Sequence, residues 1–331
     1  MSWSAGLGVP DTRHLTPVLV GPTAVGKTAV AAALAALTPV TVISADARQV
    51  YRGLDIGTAK PDQALRDRVP HVGIDLVDPG ERYSAGRFAR DAAGWLAEIR
   101  AAGRLPLVVG GTGFYIRALA DGLFREPPLE PGRRERLQGW TERLPASDLA
   151  RWAGRLDTRF QAGGRQRAAR AVEVALLTGQ ALSWWQREAR ETGVMRPWYI
   201  HLTLPREVLR TRIAARVDAM LAAGLVDEVR GVLASGVPPD AAGLDGVGYR
   251  EVVATLANGA RHPTAELRDA IAAATRRYAK RQETWFRNQL RGQPSAIGRQ
   301  HDQLWLLDAT QEPESMAAQI LERWHAVSAD G

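Results

Sequence analysis

The chain has 331 residues, of which 45% are hydrophobic, so it can bury a sizeable core and form one large domain with an insertion or a second small domain. It has no cysteine, which excludes disulfides, thiolate metal sites and a cysteine nucleophile. Its net charge of +7 favours a polyanionic partner. The first residues lack a signal-peptide pattern and no apolar run approaches about 18 residues, so we expect a cytoplasmic protein.

The first predicted elements are a short strand, Pro17 to Val20, and an alanine-rich helix that ends near Leu37. The segment between them reads Gly21, Pro22, Thr23, Ala24, Val25, Gly26, Lys27 and Thr28. This is the full phosphate-loop pattern, in which backbone amides and the helix N-terminus cradle a diphosphate. Lys27 would neutralise charge, and the Thr28 hydroxyl would bind Mg²⁺ as the cofactor. The pattern does not distinguish a nucleoside triphosphate from another diphosphate.

Two further buried strands follow, Val40 to Ser44 and Leu105 to Val109. A phosphate-loop NTPase should have a strand that ends in a magnesium-binding aspartate, but the second of these strands ends in a pair of glycines. The first runs into Asp46, which in a doubly wound sheet would lie beside the phosphate loop. There Asp46 could bind metal, act as a base or cap a turn.

The remaining pattern alternates helices and strands, with a helix from about Ser84 and a proline-rich change of composition near Gly122. Residues 125–190 carry thirteen arginines against eight acids, show helical periodicity and have no convincing strand. Four tryptophans in this stretch favour core packing over base stacking. Later predicted elements are Trp198 to Leu204 (strand), Pro205 to about Ala223 (helix), Thr264 to about Leu290 (helix), Leu304 to Leu307 (strand) and a terminal helix.

The predicted fold class is therefore α/β, with a phosphate-loop NTPase-like parallel sheet flanked by helices and an inserted helical domain. We divide the chain into a first part of the core (12–122), the inserted domain (123–196), and a second part of the core with long C-terminal helices (197–331). We expect the basic insertion to bind nucleic acid, and we expect a monomer.

Several motifs resemble the tRNA dimethylallyltransferase family in order and spacing. They are the run from Ile43 to Pro61, Asp78-Pro79 with Tyr83-Ser84, Gly110 to Gly113, and Gly248 to Glu251. The resemblance covers about Leu15 to Asn288, and the last forty or so residues carry no recognised motif. It implies that the phosphate loop holds dimethylallyl diphosphate, and that the acceptor is the exocyclic amine of the adenine just 3′ of the anticodon in a tRNA stem-loop.

The resemblance also implies roles for individual residues. Asp46 would remove the proton from the amine, Arg216 would stabilise the leaving diphosphate together with Lys27, and Thr23 would contact the bridging oxygen or the acceptor. The residues implied to contact tRNA are Asp46, Ala47, Arg48, Gln49, Thr112, Arg134, Gln166, Arg167, Ala168, Ala169, Arg170, Gly246, Val247, Gly248, Tyr249, Arg250 and Glu251.

The chain departs from the family pattern at two places. Ala47 replaces the usual serine, and Val72-Gly73 stand where a second histidine would follow His71. Ala47 cannot supply a hydroxyl hydrogen bond to the target base. Three other functions stay open: a small-molecule kinase, an isopentenyltransferase acting on free adenosine phosphates, and a non-catalytic RNA-binding module.

Overall fold

The computed structural model describes residues 14–124, 130–161, 163–259, 262–291 and 304–329. Within these residues, six strands form one sheet in which every strand pair is parallel. The strands are β1 (Leu15–Val20), β2 (Val40–Ser44), β3 (His71–Val72), β4 (Leu105–Gly110), β5 (Arg196–Thr203) and β6 (Leu304–Asp308). Their spatial order is β3-β2-β4-β1-β5-β6. The predicted parallel α/β class is confirmed, and β3 is a strand that the sequence pattern missed.

The sheet is flanked by helices that alternate with the strands along the chain. The core helices are α1 (Lys27–Leu37), α2 (Gln63–Arg68), α3 (Ala85–Ala101), α4 (Gly113–Asp121), α9 (Arg206–Ala222), α10 (Leu225–Ala234), α11 (Tyr249–Ala257), α12 (Ala265–Arg291) and α13 (Pro313–Ala329). Helix α3 begins where predicted, because the Ser84 side chain accepts the backbone N–H of Arg87 at 3.2 Å. Helices α2, α10 and α11 were not predicted.

The site is positioned by the centre of the sheet. Strand β1 is buried on both faces, and α1 packs Val30, Ala31 and Leu34 against it in the main core. Strand β4 lies directly between β1 and β2. Because the carboxyl ends of parallel strands meet at one edge, the loops that follow β1, β4 and β2 lie side by side there.

A pair of long helices packs near the loop that follows β1. Leu209 and Ile213 of α9 and Ala279 of α12 form a small buried cluster, and Ala24 packs against it. The phosphate loop is therefore held between the sheet and this helix pair. The predicted bounds of both helices are correct to within one residue, because their apolar positions recur at helical spacing.

The described residues divide into two compact units, of which residues 121–193 form one and the residues before and after them form the other. The smaller unit contains α5 (Pro131–Arg143), α6 (Ala146–Leu156), α7 (Arg165–Thr178) and α8 (Leu182–Glu188). The smaller unit ends at residue 193, three residues before the predicted end of the insertion at residue 196. It ends there because the N–H groups of Val194 and Met195 donate to the Leu119 carbonyl in the core unit. Strand β5 likewise begins at Arg196, two residues before its predicted start.

The four tryptophans of the smaller unit do not share one environment. Trp140 and Trp185 pack against its hydrophobic cluster, as predicted. Trp152 and Trp184 are 40% and 36% exposed. The Trp152 ring packs edge-to-face against Trp140, and the Trp184 ring packs edge-to-face against Trp185.

No helix in the described ranges is long and apolar enough to span a bilayer.

Candidate active site

The loop after β1 has the backbone conformation that its glycines allow. Gly21 and Gly26 have φ values of +150° and +111°, and a Cβ at Gly21 would lie 2.8 Å from the Leu202 carbonyl oxygen. Ala24 also has a positive φ, 64°. Left-handed backbone at a residue with a Cβ costs about 1–2 kcal/mol, so the surrounding packing must hold this loop in place.

Lys27 folds back over this loop. Its Nζ donates to the carbonyl oxygens of Gly21 at 2.9 Å and Pro22 at 2.8 Å. Burial lowers the pKa of Lys27 to about 8; the Asp46 carboxylate opposes this shift, and the Arg216 guanidinium adds to it. A bound anion would take the place of the two carbonyls and favour the charged ammonium.

Asp46 lies two residues after the end of β2 and lines the same cavity as Lys27, which has a volume of about 380 Å³. Its Oδ1 accepts the backbone N–H of Arg48 at 2.8 Å, so this carboxylate does cap its own turn. Capping fixes the direction of the side chain. The structure therefore shows the turn-capping role of Asp46, and its roles as a base or a metal ligand stay predictions.

Two arginines of α9 reach the cavity. Arg216 and Asp46 line the same cavity and attract each other electrostatically. Burial lowers the pKa of Arg216, and the negative charge of Asp46 opposes that shift. Arg212 donates to the carbonyl oxygens of Val25 at 3.1 Å and Ala309 at 3.3 Å. Arg212 was not predicted as a site residue. It holds the phosphate loop by its hydrogen bond to the Val25 backbone carbonyl.

Helix α12 supplies another wall of the cavity through Tyr278 and Gln282. Burial raises the pKa of Tyr278 to about 12, and the Asp46 charge adds to the shift. A hydrogen bond joins the Tyr278 side chain to Thr112. Neither residue was among the predicted site residues.

The turn after β4 is glycine-rich because neighbouring protein atoms fill the space of its missing side chains. A Cβ at Gly110 would lie 2.2 Å from the Ala45 carbonyl oxygen, and one at Gly113 would lie 2.2 Å from the Trp285 ring. Thr112 sits between them, and its Oγ1 accepts the Ala47 N–H at 3.0 Å. This contact ties the turn to the backbone next to Asp46.

Glu228 of α10 holds the loop that follows β2. Its carboxylate accepts the backbone N–H groups of Asp55 and Ile56 at 2.7 Å each, and of Gly57 at 3.3 Å. It also accepts the Tyr249 hydroxyl at 2.7 Å. The next residues of the loop, 58 and 59, line the cavity. Glu228 was missed because it carries no motif of its own.

Lys60 anchors the same loop from its other end. Its side chain is only 1% exposed and contacts Asp55 at 2.6 Å and Asp75 at 2.5 Å. Its Nζ also donates to the Tyr51 carbonyl oxygen at 2.5 Å. The second of the three lysines in the chain therefore holds structure, whereas the first, Lys27, faces the cavity.

The predicted tRNA-contacting residues after Asp46 make internal contacts. Arg48 donates to the Ala242 carbonyl at 2.7 Å. Gln49 accepts the Ser44 hydroxyl at 2.7 Å and donates to the carbonyls of residues 58 and 59. Ala47 contributes its backbone N–H, not a side chain, to the Thr112 contact.

The predicted contact segment 246–251 forms the start of α11. Tyr249 is 1% exposed, and Glu251 accepts the Gly248 N–H at 2.7 Å, which caps the helix. Val247 is half-buried and Arg250 is exposed. The Tyr249 side chain thus lies in the core against Gly57, where a Cβ would meet its ring at 2.5 Å.

In the smaller unit, the predicted contact residues start helix α7. Gln166 and Arg167 are exposed, whereas Ala168 is buried in the hydrophobic cluster and Ala169 packs against it. The last residue of this segment, Arg170, pairs with the buried Glu173 at 2.7 Å. Arg134 of α5 pairs with the same carboxylate, also at 2.7 Å. Glu173 therefore fixes two of the predicted contact residues beside each other.

These features can be set beside known proteins. The family model described as IPP transferase matches residues 49–289, which is most of the chain. This chain belongs to the IPP transferase family. A second model, described as Isopentenyl transferase, matches residues 16–69, which include the phosphate loop and Asp46.

Curated members of the IPP transferase family are similar over most of their length. A tRNA dimethylallyltransferase of Syntrophobacter fumaroxidans is 44% identical and covers 83% of this chain and 82% of its own. One of Methylibium petroleiphilum is 45% identical and covers 82% and 86%. A crystal structure of a tRNA isopentenylpyrophosphate transferase from Bacillus halodurans has a TM-score of 0.67 at 32% identity and covers 96% of this chain and 97% of that one.

A eukaryotic dimethylallyltransferase acting on tRNA matches the fold with a TM-score of 0.73 at 24% identity, over 93% of this chain and 77% of that one. The phosphate-loop NTPase-like fold of this chain is thus shared with both solved structures.

Proposed function

We propose that this chain transfers a dimethylallyl group from dimethylallyl diphosphate to the exocyclic amine of the adenosine 3′ to the anticodon in tRNA. The observation that carries the proposal is that the phosphate loop and Asp46 line one cavity in a member of the IPP transferase family. One substrate needs the anion cradle and the other needs the carboxylate. The cavity brings the two together.

At one end of the cavity, the leaving group is a diphosphate. The bond between the allylic carbon and the bridging oxygen breaks, and negative charge grows on the diphosphate. The amides of residues 21–28, the Lys27 ammonium and the Arg216 guanidinium can stabilise that charge. Thr23 also lines the cavity, and its hydroxyl would contact the bridging oxygen.

At the other end, the adenine amine attacks the allylic carbon. The amine is delocalised into the ring and weakly nucleophilic, so the new carbon–nitrogen bond places positive charge on nitrogen. Asp46 takes one proton from that nitrogen as the charge develops. The products are the prenylated nucleoside, free diphosphate and a protonated carboxyl that returns its proton to solvent. The adenine must leave the stack of the anticodon loop to reach Asp46.

Magnesium fits the donor atoms of this cavity as a partner of the diphosphate. No cluster of three or more His, Asp or Glu side chains suited to a metal occurs in the part of the chain that the structure describes. Mg²⁺ commonly takes one or two protein oxygens and completes its shell with phosphate oxygens and water, and the Thr28 hydroxyl and Asp46 carboxylate offer such oxygens. Thr28 would hold the ion, whose charge would neutralise the diphosphate.

For tRNA, we propose contacts from exposed or polar groups of the predicted set, such as Gln166, Arg167, Arg250 and the turn that carries Thr112. Tyr249 and Ala168 would act by shaping the surface, because their side chains are buried. The cytoplasmic location and the monomeric state stay predictions.

The test is incubation of the purified chain with radiolabelled dimethylallyl diphosphate, Mg²⁺ and unmodified tRNA, followed by identification of the labelled nucleoside. We expect the label in the adenosine 3′ to the anticodon, and no label in AMP or ADP offered under the same conditions. Transfer to the free nucleotides alone would instead support an adenosine-phosphate isopentenyltransferase. Micromolar ATP affinity with phosphoryl transfer to a small acceptor would support a kinase, and both results would overturn the proposal.

A further inference from the structure

Gln282 lies inside the cavity wall and joins two loops that belong to different strands. Its side chain is nearly buried, with 6% of the residue exposed. Its Oε1 accepts the backbone N–H of Thr23 at 2.8 Å, and its Nε2 donates to the Gly111 carbonyl at 3.0 Å. One side chain of α12 thus bonds both the phosphate loop after β1 and the turn after β4.

The chemistry of these two partners specifies an amide. The Thr23 N–H can only donate and the Gly111 carbonyl can only accept, so the bridging group needs one acceptor and one donor side by side. This requirement also fixes which atom of the amide is oxygen. An ionised glutamate cannot donate to the carbonyl, and a lysine cannot accept from the N–H.

Gly111 makes the room that the bridge needs. A Cβ at this position would lie 2.1 Å from Nε2 of Gln282, and real Cβ atoms essentially never come this close to another atom. Any other residue at position 111 would therefore displace the amide. Gln282 can therefore form both hydrogen bonds only because residue 111 has no side chain.

The bridge continues from Gly111 to Asp46. Thr112, the next residue of the turn, accepts the N–H of Ala47 at 3.0 Å. A continuous path of hydrogen bonds and backbone therefore runs from Thr23 through Gln282 and the turn after β4 to the residue next to Asp46. Strand β4 lies between β1 and β2, so this path crosses the sheet edge from the diphosphate cradle to the carboxylate.

We propose that Gln282 is a positioning residue that sets the spacing between the phosphate loop, through Thr23, and the turn that orients Asp46. This inference rests on the proposed prenyl transfer for its effect on turnover, but its effect on the two loops is independent of any substrate. A displacement of about 1 Å between reacting groups can lower a rate about 100-fold, so a loose bridge would lower turnover without removing a catalytic group.

The first experiment replaces Gln282 with two side chains of similar length. Gln282→Met removes both hydrogen bonds, and Gln282→Glu keeps an acceptor for the Thr23 N–H but has no donor for the Gly111 carbonyl. Amide hydrogen exchange of the protein without substrate is followed in peptides that contain residues 21–28 and 110–113. We expect faster exchange in both loops for Gln282→Met, and mainly in the 110–113 turn and its Ala47 contact for Gln282→Glu. Unchanged exchange in both loops would overturn the inference.

The second experiment separates positioning from general loss of structure. We expect kcat for tRNA prenylation to fall about 100-fold in Gln282→Met, with a smaller change in KM for dimethylallyl diphosphate. In a Gly111→Ala background the same substitution should lower kcat by less than about threefold, because a Cβ at position 111 already displaces the Gln282 amide. Gln63→Met, an exposed glutamine on α2, is the matched control and should change neither measurement.

The two kcat comparisons test the positioning role of Gln282 directly. Full kcat in Gln282→Met, or equal losses in the wild-type and Gly111→Ala backgrounds, would overturn the positioning role. If the unaltered chain transfers no prenyl group to tRNA, the proposed function fails, and the hydrogen-exchange experiment, which uses the protein without substrate, still decides whether Gln282 holds the loops.

Discussion

The phosphate-loop region of the core and the helical unit of residues 121–193 carry their functional side chains in different ways. In the core, glycines with positive φ and hydrogen bonds to backbone groups hold Lys27 and Asp46, which line one cavity. In the helical unit, basic residues lie on helices whose buried face is fixed by Leu149, Ala153 and Val172. In the first region a motif therefore determines where individual side chains lie. In the second region a motif determines only which face of a helix carries the basic side chains.

Removal of the cradle charge should have a large effect on catalysis. We expect Lys27→Met to lower kcat/KM for dimethylallyl diphosphate by about 100- to 1,000-fold, because one charged donor to the departing diphosphate is lost. The tRNA dissociation constant should change little. Lys280→Met, an exposed lysine on α12, is the matched control and should leave KM for dimethylallyl diphosphate unchanged. Equal losses in the two variants would contradict a special role for Lys27.

A structural effect of intermediate size should follow from Glu228. We expect Glu228→Gln to lower the free energy of unfolding by about 1–3 kcal/mol, because a neutral amide accepts the three N–H groups of residues 55–57 less well than a carboxylate. Tyr249→Phe should cost about 1 kcal/mol through loss of one hydrogen bond to the same carboxylate. Urea denaturation measures both. Glu207→Gln, on the exposed face of α9, should change stability by less than about 0.5 kcal/mol.

In the helical unit, alanine substitution of Arg167 and of Arg170 should differ in its effect on protein stability. Arg167 is exposed, so Arg167→Ala should weaken tRNA binding and lower the slope of log K against log salt by about 1, with no loss of stability. Arg170→Ala should also destabilise the protein, because Glu173 is buried and keeps only part of its charge pairing. Filter binding at several salt concentrations and thermal unfolding separate the two. Identical behaviour of both variants would show that the Glu173 pairing has no consequence.

The smallest effect concerns protons. With a pKa of about 8, Lys27 is half neutral at pH 8, and a bound diphosphate should raise that pKa and draw up about half a proton. Calorimetry of dimethylallyl diphosphate binding in EDTA, in buffers of different ionisation enthalpy, measures this uptake. Lys27→Met corrects for protons exchanged by the ligand itself. An equal proton count in both proteins would contradict the shift.

The same shift predicts a pH dependence of folding. The unfolded chain binds this proton up to a pKa near 10.5, whereas the folded chain releases it above about 8. The unfolded state therefore holds more protons between these pH values, and the Lys27 contribution to stability should rise with pH through this window. Below pH 8 the buried charge is a constant cost to the fold.

Sequence reasoning succeeded where a short segment determines its own conformation. Residues 21–28 could be interpreted because the glycine spacing, the preceding strand and the following helix all act locally. Five of the six strands in the described residues, and the basic helical stretch, followed from hydrophobic periodicity and composition. The roles of Asp46 and Arg216 came from resemblance to the family, and spacing alone left Asp46 with three possible roles.

Sequence reasoning failed where function depends on contacts between distant parts of the chain. Gln282 contacts Thr23 across 259 positions, and Glu228 contacts Asp55 across 173. Nothing local to Gln282 or Glu228 signals a partner, since each is one polar residue on a helix. The motif from Gly248 to Glu251 shows the converse: Tyr249 stood out in the sequence, yet its hydroxyl donates to Glu228 in the core. Its contribution is to the loop of residues 55–60.

The most direct test of the central claim, that a diphosphate cradle and one carboxylate serve opposite ends of a single reaction, is a single-turnover measurement on Asp46→Asn. Asparagine keeps an oxygen for the Arg48 N–H but cannot take a proton from the amine. We predict that the rate of nucleoside prenylation falls about 100- to 10,000-fold, while the dissociation constants for tRNA and for dimethylallyl diphosphate stay within about threefold. Prenylation at the unaltered rate would contradict the account.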